Sequence, residues 1–273
     1  MSKSHEIDFK LFGDDMQFVE IELDPDESVL AEAGAMMYMD QKIGMETIFG
    51  DGSGKSHGKG LMGKLMGSGK RVITGEGLFM TVFTNKQPGK GNVAFSAPYP
   101  GKIIPFDLKD FDGTIICQKD AFLCAAKGVS IDIYLQKKLG VGFFGGEGFI
   151  MQKLEGDGLA FLHTGGTVIR KDLAPGESLK IDTGCLVAMT STVDYNIEFV
   201  GDIKSSIFGG EGLFLATLKG PGSVWLQSIP FSRMADKIYL AATKGKGSRK
   251  GETKGMNNPL EELSGLANLF GRD

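Results

Sequence analysis

An all-β fold follows from three features of the 273-residue sequence. Forty-one residues are glycine, which favours short strands joined by tight turns over long helices. Segments such as "VSIDIYL" and "SLKID" alternate apolar and polar residues at the period of a half-buried strand. One glycine-rich phrase occurs three times, which marks an internal repeat.

The repeated phrase is "GEGLFMTVF" from Gly75, "GEGFIMQKL" from Gly146 and "GEGLFLATL" from Gly210. Each copy is followed by a second shared phrase: "GKGNVAF" from Gly89, "GDGLAF" from Gly156 and "GPGSVW" from Gly220. Together they read as a β-hairpin, in which an apolar strand opens after a glycine-flanked glutamate and a glycine turn at positive φ sends the chain back. In "VSIDIYL" the alternation puts Val129, Ile131, Ile133 and Leu135 on one face, and in "SLKID" it pairs Leu179 with Ile181. Upstream parts match as well: "LDPDES" at Leu23 with "LAPGES" at Leu173, "GAMMYM" at Gly34 with "GCLVAM" at Gly184, and "GKIIPFDL" at Gly101 with "GTVIRKDL" at Gly166. The unit is about 65 residues long. A single body over residues 1–243 is therefore expected, in three repeats of about 17–100, 101–165 and 166–240, followed by a tail over 244–273.

The first repeat is longer than the others by an insert near residues 50–71. It holds "IFGDGSGKSHGKG", whose Gly54-Lys55-Ser56 resembles the end of a phosphate loop. That loop requires a glycine at the position held here by Phe49, and a long helix after it, whereas glycine interrupts the following residues every few positions. Nucleotide binding is not expected. Lys55, Lys59, Lys64, Lys70 and Arg71 are interleaved with Leu61, Met62, Leu65 and Met66, with no acidic residue among them. Two readings stand: a solvated surface loop, or a basic amphipathic contact for an acidic protein or an anionic membrane.

The net charge of −4 gives the chain no overall field for nucleic acid, and no nucleic-acid partner is expected. Cys117, Cys124 and Cys185 lie in apolar runs without metal spacing and read as small buried residues in a reducing compartment. The charged N-terminus "MSKSHEIDFKLFGDD" has neither a secretory nor a membrane-spanning pattern, so a cytoplasmic location, with peripheral membrane contact through the insert, is expected.

No constellation specifies catalysis. His5, His57 and His163 are scattered, and no serine sits in a nucleophile elbow. Glu76, Glu147 and Glu211, the glutamates of the repeated phrase, are the candidate ligand or cation set: they bind a cation if the repeats make them converge, and otherwise accept amide bonds at their own turns. No metal, cofactor or enzymatic activity is expected. In the tail, "TKGKGSRKGETKG" reads as a flexible basic linker. The residues beyond it read as a short helix capped by Asn258, started by Pro259 with Glu261 behind it, and striped by Leu260, Leu263, Ala267 and Phe270.

The phrases "AEAGAMMYM", "METIFGDGS", "APYPGKIIP", "CQKDAFLCA", "FGGEGFIMQKLEGDGLAF" and "WLQSIPFSRMADKI", in this order from about Ile7 to Ile238, resemble the prokaryotic relatives of the mitochondrial biogenesis protein of the altered-inheritance-of-mitochondria class. The resemblance implies three units like the tryptophan RNA-binding attenuation protein (TRAP), each a double-stranded β-helix, in a pseudo-threefold arrangement. It implies no reaction. The expected role is a homo-oligomeric scaffold or interaction protein; the alternative is a module that binds RNA or a small ligand in clefts between repeats.

Overall fold

The computed structural model describes residues 3–49, 79–134, 150–199 and 214–244. They are mostly β-strand. After a first strand β1 (Asp8–Phe12), eighteen strands follow in three runs of six. The first run is β2 (Phe18–Leu23), β3 (Ser28–Glu32), β4 (Met36–Met39), β5 (Ile43–Phe49), β6 (Phe79–Asn85) and β7 (Gly91–Ser96). The second is β8 (Gly101–Asp107), β9 (Thr114–Gln118), β10 (Phe122–Ala126), β11 (Ser130–Tyr134), β12 (Met151–Glu155) and β13 (Leu159–Gly165). The third is β14 (Val168–Leu173), β15 (Ser178–Asp182), β16 (Leu186–Thr190), β17 (Asp194–Phe199), β18 (Phe214–Lys219) and β19 (Gly222–Gln227).

Pairing is antiparallel and follows the same scheme in each run. The sixth strand lies between the first and third, as β7 does between β2 and β4, and the fifth lies between the second and fourth, as β6 does between β3 and β5. The strands that flank the repeated glycine turn, β6 and β7, β12 and β13, or β18 and β19, thus belong to different sheets. This corrects the expected hairpin. Glycine turns such as the one at Gly89 (φ 78°) carry the chain from one layer to the other. Return strands within a sheet instead come from the pairs β5·β6, β11·β12 and β17·β18.

The runs join by β3 against β10 and by β9 against β16. Among the described residues four sheets result, in strand orders β1-β2-β7-β4, β5-β6-β3-β10-β13-β8, β11-β12-β9-β16-β19-β14 and β15-β18-β17. Local chemistry repeats too. In "LDPDES" the Glu27 carboxylate accepts from the Asp24 amide at 2.8 Å, and in "LAPGES" Glu177 accepts from the Ala174 amide at 2.8 Å. The intervening turn residue has positive φ in both, Asp26 at 69° and Gly176 at 82°. Where β8 begins, a Cβ on Gly101 would lie 1.6 Å from the Thr164 carbonyl oxygen, so only glycine lets β8 approach β13 there.

Alternation places Val19, Ile21 and Leu23 of β2 inward, against Val93 and Phe95 of β7 and the aromatic core of Phe83, Phe106 and Phe161. A second apolar cluster gathers Ile116, Met151, Leu186, Met189, Leu218 and Val224 under the third run. Trp225 joins the second and third runs, its ring 4.9 Å from Phe106 and 5.5 Å from Phe111, edge to face. Two of the three cysteines, Cys117 and Cys124, are buried as expected, and Cys185 is half-buried. Val129 and Ile131 are buried, whereas Ile133, two residues on along the edge strand β11, is exposed.

Two compact units divide the chain, Met1–Ser232 and Arg233–Asp273. The sheets end at Gln227, and Phe231–Lys244 form the helix α1 across that boundary. The helix replaces the end of the third β repeat, which the sequence alone predicts to run to about residue 240. Its only strand-breaking signal is Pro230, and the helical spacing of Met234, Ile238 and Ala241 is short beside the β-patterned phrases before it. The expected helix at 259–270 lies outside the described residues.

Strands β5 and β6 pair along their whole length, to Phe49 opposite Phe79, as β17 and β18 do to Phe199 opposite Phe214. Deleting Gly52–Gly69 from the longer of these two connections should therefore leave the pairing intact and move stability by about 1 kcal/mol or less, since loop closure depends only logarithmically on length. Thermal melting of the deletion variant checks this. Loss of a cooperative transition would place the insert within the core.

Candidate functional site

The residues expected to form a site, Glu76, Glu147 and Glu211 together with Lys55, Lys59, Leu61, Met62, Lys64, Leu65, Met66, Lys70 and Arg71, all lie outside the described residues. Among the described residues, no group of three or more His, Cys, Asp or Glu side chains is placed to hold a metal ion, and no helix is long and apolar enough to cross a membrane.

His163 is a core residue. Its Nε2 lies 3.1 Å from the Tyr99 carbonyl oxygen and its ring meets the Tyr99 ring edge to face at 4.1 Å. A carbonyl only accepts, so Nε2 carries the proton, and Nδ1 is buried with no partner among the described residues. Burial lowers the His163 pKa to about 4. Burial likewise pushes the Cys117 and Cys124 thiols far above their ordinary value, which leaves both unreactive.

A cleft of about 120 Å³ opens beside the N-terminal segment, lined by Lys3, Ser4, His5, Asp107, Lys109 and Asp157. Two of its lining side chains hold that segment: Asp157 accepts from the Ser4 amide at 2.8 Å, and the Ser28 amide donates to His5 Nδ1 at 2.9 Å. The volume is well below the ~300 Å³ at which small-molecule sites begin.

The surface that stands out is strand β4. Four consecutive large apolar residues, Met36, Met37, Tyr38 and Met39, are exposed there, with Met45 of β5 exposed beyond them. Met37 and Met45 leave 55% and 56% of their surface in solvent. β4 pairs with β7 on one side, and among the described residues no strand pairs with its other side. A β-bulge between Met36 and Tyr38 interrupts the register. Tyr38 and Glu20 both lie opposite Ala94 from either side of β7, which brings the Tyr38 hydroxyl to donate to the Glu20 carboxylate. That bond raises the Tyr38 pKa to about 12 and fixes the ring, which meets Phe18 edge to face at 6.4 Å. Phe18 in turn stacks on Phe12 at 4.8 Å. The arrangement is an ordered apolar and aromatic patch that ends in an open sheet edge, suited to docking another strand. In the sequence "GAMMYM" stands as the counterpart of "GCLVAM" and within a phrase of the family resemblance, not as a surface; the signal for one is its large residues where the third repeat uses smaller ones.

The open β4 edge and the repeated sheet scheme define a β-rich protein whose exposed apolar run Met36–Met39 lies on an unpaired sheet edge among the described residues. The family model for the mitochondrial biogenesis AIM24 proteins matches residues 9–229, and the chain belongs to that family. It is 30% identical, over 233 residues covering 82% of this chain and 88% of the relative, to an uncharacterised protein of Streptococcus pyogenes serotype M6. Its fold is similar to a crystal structure of a Streptococcus pyogenes protein, with a TM-score of 0.66 at 23% identity, over 86% of this chain and all of the other.

Proposed function

We propose that this protein is a non-enzymatic, homo-oligomeric scaffold that brings copies of itself to an acidic partner. The observation that carries the reading is the exposed run Met36–Met39 on an open sheet edge, because contiguous apolar surface on a soluble β protein is a contact surface. In this reading the three runs of strands are three TRAP-like double-stranded β-helix units in pseudo-threefold repetition, supported by the pairing scheme common to all of them. The basic segments near 50–71 and 243–255 supply the second contact, to an anionic membrane surface or an acidic protein.

Flotation with phosphatidylserine-containing and with phosphatidylcholine vesicles tests the membrane contact. Binding to the anionic vesicles alone is expected, fading as salt rises and the Debye length falls from about 10 Å at 0.1 M to about 3 Å at 1 M. Equal binding to both vesicle types, or to neither, would remove the membrane and leave an acidic protein as the partner.

A further inference from the structure

The joint between neighbouring runs is made twice, with one register. In the first, Ala31, Leu30 and Val29 of β3 lie opposite Cys124, Ala125 and Ala126 of β10. In the second, Cys117, Ile116 and Ile115 of β9 lie opposite Ala188, Met189 and Thr190 of β16. Both receiving strands carry a bulge after their first residue, between Phe122 and Cys124 and between Leu186 and Ala188, and β4 carries its bulge at the same place, between Met36 and Tyr38.

Each end of the chain then presents one unused half of this joint. β4 occupies the place of β10 and β16, and β15 occupies the place of β3 and β9, yet among the described residues neither has a strand on its outer edge. The sheets they terminate, β1-β2-β7-β4 and β15-β18-β17, lack the other half that completes each six-stranded sheet. Burial follows this difference. The first four residues of β10 and of β16 are at most 4% exposed, whereas all four residues of β4 are exposed. β3 is buried over four of its five residues, whereas no residue of β15 is buried.

We infer that β15 of one copy docks antiparallel on β4 of a second copy and makes the joint a third time, head to tail, between chains. This rests on the scaffold reading and names the partner of its apolar edge. Transferring the shared register sets Ile181 opposite Tyr38, Lys180 opposite Met39 and Leu179 opposite Asp40. The composite sheet then runs β17-β18-β15-β4-β7-β2-β1. Met36–Met39 become covered as their counterparts are, and the Lys180 side chain lies on the same face as Met39, directly opposite it, with Met37 diagonal to it. Such a contact uses two different surfaces, so it propagates until the assembly closes into a ring or extends as a fibre.

Sedimentation velocity of the full chain over a concentration series, with cross-linking of the assembled protein, tests the joint. Wild type should sediment as a multiple of one chain. Lys180→Glu, a change at an exposed side chain whose ion pair with Glu198 at 3.4 Å contributes little alone, replaces a long apolar stem lying along Met39 and Met37 with a short carboxylate pressed against them and should weaken assembly by about tenfold or more. Adding Met39→Lys in the same chain should restore it. Independently, directly opposed residues of antiparallel strands have Cα atoms about 4.5–5.5 Å apart, within disulfide reach. In a Cys185→Ser background, a mixture of Met39→Cys chains and Lys180→Cys chains should give oxidised covalent dimers, and neither variant alone should. An assembled wild type whose mixture gives no cross-link, or gives no more than the single variants do, overturns this joint and leaves the scaffold reading standing. A wild type that sediments as one chain at every concentration overturns both.

Discussion

Replacing Phe161 by alanine should lower the free energy of unfolding by about 3–5 kcal/mol, the range for removing a large aromatic side chain from a close-packed core. Phe161 is fully buried in β13, the strand that pairs with β10 on one side and β8 on the other. Its ring meets Phe9 of β1 edge to face at 4.9 Å, so the N-terminal strand packs on the middle run through this side chain. Urea unfolding should show a lower midpoint with an unchanged slope, since the folded surface is little altered. Phe9→Ala should cost less, because Phe9 is exposed on its outer side. A loss below about 1 kcal/mol for Phe161→Ala would mean that β13 is not in the core.

Stability should also fall as pH is lowered from about 6.5 to about 4, by no more than about 3 kcal/mol from His163. The folded pKa of about 4 lies below the ordinary 6.5, so the unfolded chain takes up the proton first. The contribution is complete above pH 6.5, declines through the interval and is constant below the folded value. The cause is geometric: Nε2 is committed to the Tyr99 carbonyl, and a proton on Nδ1 would be buried without an acceptor. His163→Gln keeps a donor near the Tyr99 carbonyl without a titrating ring, and should flatten the profile. Some slope should remain from His5, which burial and Lys127 also hold below its ordinary value. Chemical denaturation of both proteins at several pH values reads the effect; an unchanged slope in the variant would exclude His163 as its source.

Much of the fold was legible because strands announce themselves locally. The alternation in "SLKID" and the matching turns "LDPDES" and "LAPGES" depend on side-chain period and on turn residues a few positions apart, which is information a short segment carries by itself. The same local character makes the sequence predict β structure to about residue 240, where the chain forms the helix Phe231–Lys244. Its helical spacing covers only a few turns, and the long β-patterned phrases before it outweighed that signal. His163 could be seen as scattered from the other histidines, but not as buried against Tyr99, whose ring arrives from the loop before β8.

The all-β class, the approximate run of strands in each repeat and the failed phosphate loop at Phe49 were determined by the sequence alone, because each rests on residues close together in the chain. Tertiary structure decided which strands share a sheet. It sent β6 and β7 into different layers although a glycine turn joins them, and it covered "FLCAA" while leaving "MMYM" open. Both strands are apolar, so composition cannot separate them. The difference is whether another run supplies the neighbouring strand: β3 does so for β10, and among the described residues no strand does so for β4.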